Sequence, residues 1–190
     1  MYSNAFSRAV DHTMRFEVGG FWNSSADGVA DGTNLRACGY VNDSNDPGGV
    51  TKFGIAKNAN PNVDVPNLTW SQAQDIYYNK YWLASSCDKM PGRIAALHFD
   101  TCVNNGISRA GKMIQSAIGV VPDGVVVGPD TLANLANFDG ITLCNTLCNT
   151  RVQYYNSLVS ADPSKGEYIK GWLARVENMR AFVTDEDTDF

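Results

Sequence analysis

The sequence has no long uninterrupted apolar run; Asp11, His12 and Arg15 interrupt the only candidate near its start. We therefore expect neither a signal peptide nor a membrane anchor. Positive charge is also scarce, since 15 Lys and Arg stand against 20 Asp and Glu, giving a formal net charge of −5. No basic stripe runs along the chain, and this argues against a nucleic-acid partner.

Histidine is nearly absent, because His12 and His98 are the only two in the chain. We therefore predict no metal site, and no motif suggests a cofactor. An odd number of cysteines at irregular spacing does not favour a disulfide framework; they are Cys38, Cys87, Cys102, Cys144 and Cys148. His98 and Cys102 lie one turn apart on a predicted helix and offer a Cys–His nucleophile pair. Both also fit the buried face of a core helix.

Apolar residues recur at helical spacing through most of the chain, so the predicted fold class is mainly α. A short strand-like run adds a small β-rich lobe near residues 40–56, which makes the arrangement α+β. The helices are predicted over residues 3–18, 69–83, 91–105, 108–117, 129–135, 139–159 and 167–183. No internal repeat and no linker of domain-separating composition interrupts them.

The first candidate motif is Phe16-Glu17-Val18-Gly19-Gly20-Phe21, at the end of the first predicted helix. The paired glycines supply the positive-φ residues that commonly end a helix. Glu17 therefore stands at the negative end of the helix dipole between two apolar residues, and both features disfavour a charged carboxylate. A carboxylic acid that keeps its proton is what a glycosidase needs to protonate a leaving oxygen. A solvated glutamate at a frayed helix end is the alternative interpretation.

The second motif is the run from Asp46 to Ile55, Asp-Pro-Gly-Gly-Val-Thr-Lys-Phe-Gly-Ile. Its first four residues are typical of a tight turn, because proline presets φ and glycine permits close backbone approach. The β-branched and aromatic residues that follow predict a short strand. Asp46 and Thr51 then lie on one compact loop, where each can orient a water molecule.

These two motifs resemble the glutamate and double-glycine motif and the following turn motif of glycoside hydrolase family 108, a family of muramidases often encoded by bacteriophages. Further segments resemble family features in the same order along nearly the whole chain: Tyr77–Trp82, Phe99–Gly106, Gln115–Gly119, Asp123–Val125 and Gly171–Val176. The resemblance implies a lysozyme-like fold and a peptidoglycan hydrolase.

The resemblance also implies the cleaved bond, the β-1,4 link between N-acetylmuramic acid and N-acetylglucosamine. Glu17 is the expected general acid, Asp46 the second carboxylate and Thr51 a residue that positions water. We expect substrate contacts from aromatic and amide side chains, namely Phe21, Tyr40, Asn104 and Asn105. The amides have the alternative role of tying loops together.

The resemblance divides the chain into a catalytic muramidase region at 1–90 and a helical region at 91–184 that resembles a peptidoglycan-binding module. We expect the two to pack as one globular unit, followed by an acidic tail at 185–190. One departure concerns the spacing of the motifs, because Glu17 and Asp46 are 29 positions apart here but close together in the family. The extra segment, from about Trp22 to Gly39, is predicted to be a loop, forming one wall of the cleft or a surface decoration.

The expected partner is peptidoglycan, bound by a monomer. Without an export signal, such an enzyme would accumulate in the host cytoplasm and depend on a separate holin for release to the periplasm and cell wall, as a phage endolysin does. A virion-associated enzyme fits the same features.

Three other functions remain open from the sequence. A lytic transglycosylase needs only one catalytic glutamate and forms an anhydro-sugar. A non-catalytic cell-wall-binding or virion structural protein would need no acid at position 17. The His98–Cys102 pair is the basis for an amidase or peptidase.

Overall fold

The structure is a computed structural model that describes residues 1–19, 21–24, 32–43, 48–121 and 127–190, apart from the side chains of 32–34. Within it the chain forms two compact units, one of residues 10–79 and the other of residues 1–9 with 80–190. The predicted mainly helical fold with a small β-rich lobe is confirmed, as the elements below show.

The unit of residues 10–79 contains the end of helix α1 and the β-rich lobe. Its elements are α1 (Asn4–Glu17, which begins in the other unit), α2 (Gly32–Ala37), strands β1 (Thr51–Lys52) and β2 (Ile55–Ala56), and α3 (Trp70–Tyr77). The strands pair antiparallel, with Thr51 opposite Ala56 and Lys52 opposite Ile55, and Val41 forms a further bridge to Thr51.

The turn between the two strands consists of Phe53 and Gly54, with φ angles of 52° and 71°. Positive φ at both central residues is the mark of the type I′ hairpin turn, whose twist matches that of the flanking strands. Phe53 adopts this conformation with its side chain fully buried and its amide donating to the Cys38 carbonyl at 2.7 Å.

The prediction of a structureless loop between Trp22 and Gly39 was wrong in part, because α2 lies within it. The segment that ends α2 is anchored rather than free: Cys38 is fully buried and the Tyr40 amide donates to the Leu35 carbonyl. The Cys38 carbonyl also accepts from the Phe53 amide, and such a contact with a distant segment cannot be predicted from a segment that lacks apolar periodicity.

The other unit is a helical assembly. It contains a π-helical turn (Tyr78–Leu83, whose first two residues belong to the other unit), a 3-10 turn (Cys87–Lys89), α4 (Gly92–Asn105), α5 (Ile107–Ala117), α6 (Pro129–Leu135), α7 (Gly140–Ala161), a second 3-10 turn (Pro163–Glu167) and α8 (Ile169–Thr184). Phe6, Trp82 and Phe99 form an aromatic core with ring centroids 5.3 to 5.8 Å apart. Across the described ranges, no helix is both long and apolar enough to traverse a bilayer.

Helix boundaries follow local capping chemistry. Thr69 and Gln72 form a capping box at the start of α3, and Asp139 accepts from the Thr142 amide at the start of α7. Gly106, with φ of 81°, ends α4 and directly begins α5. The helix predicted to begin at residue 108 therefore begins one residue earlier, at Ile107.

A buried ion-pair cluster joins three helices of this unit. The Asp100 carboxylate on α4 accepts from Arg151 on α7 at 2.8 Å and from Arg175 on α8 at 2.7 Å. Burial alone would raise the pKa of Asp100, but the two guanidinium groups outweigh it and lower the pKa to about 2. Asp100 therefore serves the fold, as a charge that stays ionised inside the helical core.

The acidic C-terminal segment is packed against the same unit. The Arg93 guanidinium donates to four backbone carbonyls: those of Val183, Asp185, Glu186 and Thr188. The Phe190 ring lies 5.2 Å from that of Phe182. Arg93 thus donates to carbonyls at the end of α8 and in the segment that follows. The last carbonyls of a helix have no N–H partner within the helix and need such a donor.

Candidate active site

Glu17 is the last residue of α1, and Gly19, with φ of 87°, follows as predicted. The apolar face of the helix fixes its position, since Phe6, Val10 and Met14 are fully buried. Glu17 itself is half-buried. A helix with one buried face therefore presents the carboxylate at its C-terminal end.

The hairpin turn lies directly against Glu17. A β-carbon added to Gly54 would stand 3.0 Å from the Glu17 Cβ and 2.8 Å from the Tyr77 hydroxyl oxygen. Real Cβ atoms essentially never approach within 3.0 Å of another heavy atom. Only glycine therefore fits at position 54, for its positive φ and for the space it leaves to the acid.

Tyr77 holds this turn from the other side. Its side chain is buried, and its hydroxyl donates to the Phe53 carbonyl at 2.9 Å. Trp82, at the other end of the Tyr77–Trp82 segment, is buried as well, so both aromatic residues belong to the core. The positioning role of the Tyr77 hydroxyl and of Gly54 was not foreseen, since it depends on contacts between segments distant in sequence.

A second glycine packs against the same helix end. A β-carbon added to Gly39, with φ of 62°, would stand 3.1 Å from Val18 Cγ1 and 3.3 Å from Val18 Cα. Val18 directly follows Glu17. Two positive-φ glycines, one on each of two segments that pair through Val41 and Thr51, thus approach the end of α1.

Trp22 belongs to an aromatic cluster within the same unit. Its ring centroid lies 4.6 Å from that of Trp70 and 6.2 Å from that of Phe53, and its indole N–H donates to the Asp11 carboxylate at 2.9 Å. A cavity of about 370 Å³ opens beside it, lined by Asp11, Arg15, Gly19, Trp22, Asn23 and Ser24. Two of the lining residues, Arg15 and Gly19, lie two positions from Glu17 in the sequence.

The two aromatic residues predicted to bind sugar have different environments. Phe21 is 55% exposed, and the Arg36 guanidinium lies 3.6 Å from its ring centroid. One face of that ring is therefore already occupied by a cation. Tyr40 is half-buried and stands between Gly39 and the Val41 bridge to β1. Their contact with substrate stays a prediction.

The other two predicted catalytic residues come from the second motif. Thr51 lies on β1, is half-buried, and its hydroxyl lies 3.4 Å from the Gly49 carbonyl. Asp46 lies outside the described residues. The structure therefore places Thr51 on the strand that leads into the Phe53–Gly54 turn, and gives no position for the second carboxylate.

Asn104 and Asn105 lie at the end of α4 in the helical unit. Both side-chain oxygens lie within reach of the Tyr155 hydroxyl, at 2.5 Å and 3.1 Å. Tyr155 is buried and stacks on Trp172 with centroids 5.1 Å apart. The two amides thus tie α4 to α7, which is the alternative role considered for them, and their predicted contact with substrate is untested.

The His98–Cys102 pair lacks the chemistry of a nucleophile. Both side chains are buried in the core of the helical unit. Burial raises the pKa of the Cys102 thiol to about 12 and lowers the pKa of His98 to about 4. A reactive cysteine needs a lowered pKa and access to solvent. The amidase interpretation based on this pair therefore loses its support.

Within the described ranges, no three His, Cys, Asp or Glu side chains converge in a way that could hold a metal ion.

The chain matches two family models in succession. Residues 33–106 match Glycosyl hydrolase 108, and residues 109–177 match a Predicted Peptidoglycan domain. Among solved structures, SagA from Brucella abortus is similar with a TM-score of 0.68 and 26% identity, covering 96% of this chain and 97% of that one. No curated protein matches the chain.

The hydrolase match begins after Glu17, and residues 33–106 contain no glutamate. Glu17 is the only glutamate before Glu167. Glu17 is therefore the one glutamate that precedes the matched region, and it lies against Gly54 of that region. From the two matches and the structural likeness, the chain belongs to glycoside hydrolase family 108, with a peptidoglycan-binding-like region after the hydrolase region, and is a peptidoglycan hydrolase.

Proposed function

We propose that this protein is a muramidase that hydrolyses the β-1,4 bond between N-acetylmuramic acid and N-acetylglucosamine, with Glu17 as general acid. The observation that carries the proposal is the contact between Glu17 and the Gly54 turn. It joins the only glutamate of the N-terminal half to the segment matched by the glycosyl hydrolase family.

In the proposed reaction, the protonated Glu17 carboxyl donates its proton to the glycosidic oxygen. The bond from that oxygen to C1 of the muramic acid residue breaks, and the N-acetylglucosamine residue leaves with a free 4-hydroxyl. The oxocarbenium-like C1 is captured by water, directly or after a carboxylate has bonded to it. In the direct route the water loses its proton to the second carboxylate, and in the two-step route to the ionised Glu17. The product ends in a reducing muramic acid.

Asp46 is the carboxylate we propose for the second role, and Thr51 for positioning the water. Both belong to the motif that leads into the Gly54 turn. Thr51 lies on β1, the strand that leads into this turn, and Asp46 precedes it in the same motif. Phe21 and Tyr40 are proposed to contact the saccharide from the same unit.

Mass spectrometry of the soluble products from purified peptidoglycan tests the bond and the reaction type. We expect muropeptides that end in a reducing muramic acid. Products ending in reducing N-acetylglucosamine would contradict the bond assignment, and anhydro-muramic ends would identify a lytic transglycosylase. Cleaved peptides with intact glycan strands would contradict a glycosidase altogether.

A further inference from the structure

A surface groove with cationic lining lies between α5 and α7 in the helical unit. It has a volume of about 430 Å³ and is lined by Arg109, Lys112, Met113, Ser116, Thr150, Gln153, Tyr154 and Ser157. The lining residues of α7 recur at positions i, i+3, i+4 and i+7, so they share one face of that helix. The groove belongs to the region that matches the peptidoglycan domain.

The charged residues that line the groove, Arg109 and Lys112, are both positive. Arg109 and Lys112 are both exposed, and neither forms an ion pair within the described part of the chain. Neither α5 nor α7 carries a single acidic residue over its length. In a chain of net charge −5, this is a local site of positive potential with no acidic side chain on either of its two helices.

Tyr154 is the one aromatic residue that lines the groove, and one face of its ring is already occupied by a cation. The Arg109 guanidinium lies 4.9 Å from the Tyr154 ring centroid. This contact also limits the freedom of the Arg109 side chain and keeps its N–H groups at the groove. Its remaining polar groups are the Lys112 ammonium, the hydroxyls of Ser116, Thr150 and Ser157, and the Gln153 amide.

We propose that this groove binds the free carboxylates of the peptide stems of peptidoglycan. The inference deepens the proposed function, on which it rests for the identity of the polymer. The glycan backbone is neutral where its muramic acid carboxyl is amidated by the stem, so the anionic groups of the polymer lie on the peptides. Arginine binds a carboxylate through two parallel hydrogen bonds, and lysine adds a point charge. Hydroxyls and an amide suit the peptide backbone between carboxylates.

Binding at this groove would keep the enzyme on its insoluble substrate between successive cuts. The contribution is to attachment and not to the chemical step, since the groove contains no carboxylic acid. Loss of the groove should therefore weaken binding to peptide-bearing polymer while leaving the cleavage of peptide-free glycan strands unchanged.

The test is co-sedimentation of the Glu17→Gln chain with purified peptidoglycan, compared with the same material after its free carboxylates have been coupled to glycine amide. We expect the blocked polymer to bind about tenfold more weakly, because charge-assisted hydrogen bonds to carboxylate are lost. Adding Arg109→Glu and Lys112→Glu should cause a similar loss on the untreated polymer and little further loss on the blocked one.

A matched control reverses two exposed lysines of the same unit that lie outside the groove, Lys89→Glu and Lys170→Glu. It makes the same change in net charge and should bind the untreated polymer like the parent. Equal losses in both reversal variants would mean that only overall charge matters, and would overturn the site. Unchanged binding in the groove variant, or equal binding to blocked and untreated polymer, would also overturn it.

Co-sedimentation of the Glu17→Gln chain measures binding without cleavage, so the groove and the muramidase proposal can fail separately. If the chain with Glu17 intact released no reducing ends while the groove variant lost binding, the muramidase proposal would fail and the groove would stand. If the reducing ends appeared but the groove variant bound normally, the groove would fail alone. Circular dichroism and thermal melting of both reversal variants confirm that each is folded.

Discussion

Glu17 and Gly54 lie so close together that a β-carbon at position 54 would stand 3.0 Å from the Glu17 Cβ. The replacement Gly54→Ala places a methyl group there and 2.8 Å from the Tyr77 hydroxyl, on a backbone with φ of 71°. We expect a loss of about 1–3 kcal/mol in the free energy of unfolding from overpacking and strain. We also expect glycan cleavage to fall at least about tenfold as the acid is displaced.

Gly119→Ala is the matched control, because Gly119 has φ of 72° but nothing within 4 Å of an added β-carbon. Gly119→Ala should lower the free energy of unfolding only by the strain of the left-handed backbone, and cleavage should be retained. Chemical denaturation and the release of reducing ends measure the two effects in both variants. Equal activity in Gly54→Ala and Gly119→Ala would contradict the positioning of Glu17 by the turn.

Replacing Arg93 by alanine tests how the C-terminal segment is held. The guanidinium donates to carbonyls on either side of the α8 end, including those of Val183 and Thr188. We expect faster amide hydrogen exchange over residues 185–190 and a loss of about 2 kcal/mol in stability, as acceptors lose a charged donor. Arg180→Ala, which removes an arginine bonded to Asn145 and Glu177, should leave exchange in that segment unchanged.

The buried His98 predicts a pH dependence of stability. Burial lowers its pKa from 6.5 to about 4, so the unfolded chain binds the proton first as the pH falls. The contribution of His98 to stability is therefore complete above about pH 6.5 and is lost progressively down to about pH 4, by about 3 kcal/mol in total. The variant His98→Gln should show a smaller fall over this window in denaturation measured at each pH. An identical fall in both proteins would contradict the assignment.

Cys102 provides a test of the amidase alternative. With its pKa raised to about 12 by burial, the thiol should resist iodoacetamide in the folded protein at about pH 8 and react once the chain is denatured. Cys102→Ala should retain the release of reducing ends, since the side chain only fills the core. Rapid labelling in the folded state, together with loss of activity in the variant, would restore the nucleophile hypothesis.

The helical part of the fold could be predicted because its signals are local. The capping box at Thr69, the stop at Gly106 and the Asp139 cap all depend on residues within one turn of the helix end. The helix α2 could not be predicted, because its segment has no apolar periodicity and its end is held by a bond from a distant segment, the Phe53 amide to the Cys38 carbonyl.

In the candidate site, the sequence predicted the position of Glu17 at the end of an amphipathic helix, two residues before Gly19, but not the residues that surround it. The role of Glu17 as the acid stays a prediction. The glycines at 39 and 54 and the Tyr77 hydroxyl contribute through approaches between segments far apart in sequence. Composition could not predict the cationic groove either. The net charge of the chain is negative, whereas Arg109 and Lys112 line the same groove.

The most direct test of the account is the release of reducing ends from purified peptidoglycan by the Glu17→Gln protein, beside the unaltered chain and a Glu177→Gln control. Glu177 is an exposed glutamate that pairs with Arg180, so its loss should leave activity unchanged. Glutamine keeps the shape of Glu17 but cannot donate the acid proton. We expect cleavage to fall by at least about a hundredfold in Glu17→Gln with an unaltered melting temperature, in line with loss of a general acid. Cleavage equal to that of the control would contradict the assignment of Glu17 as the catalytic acid.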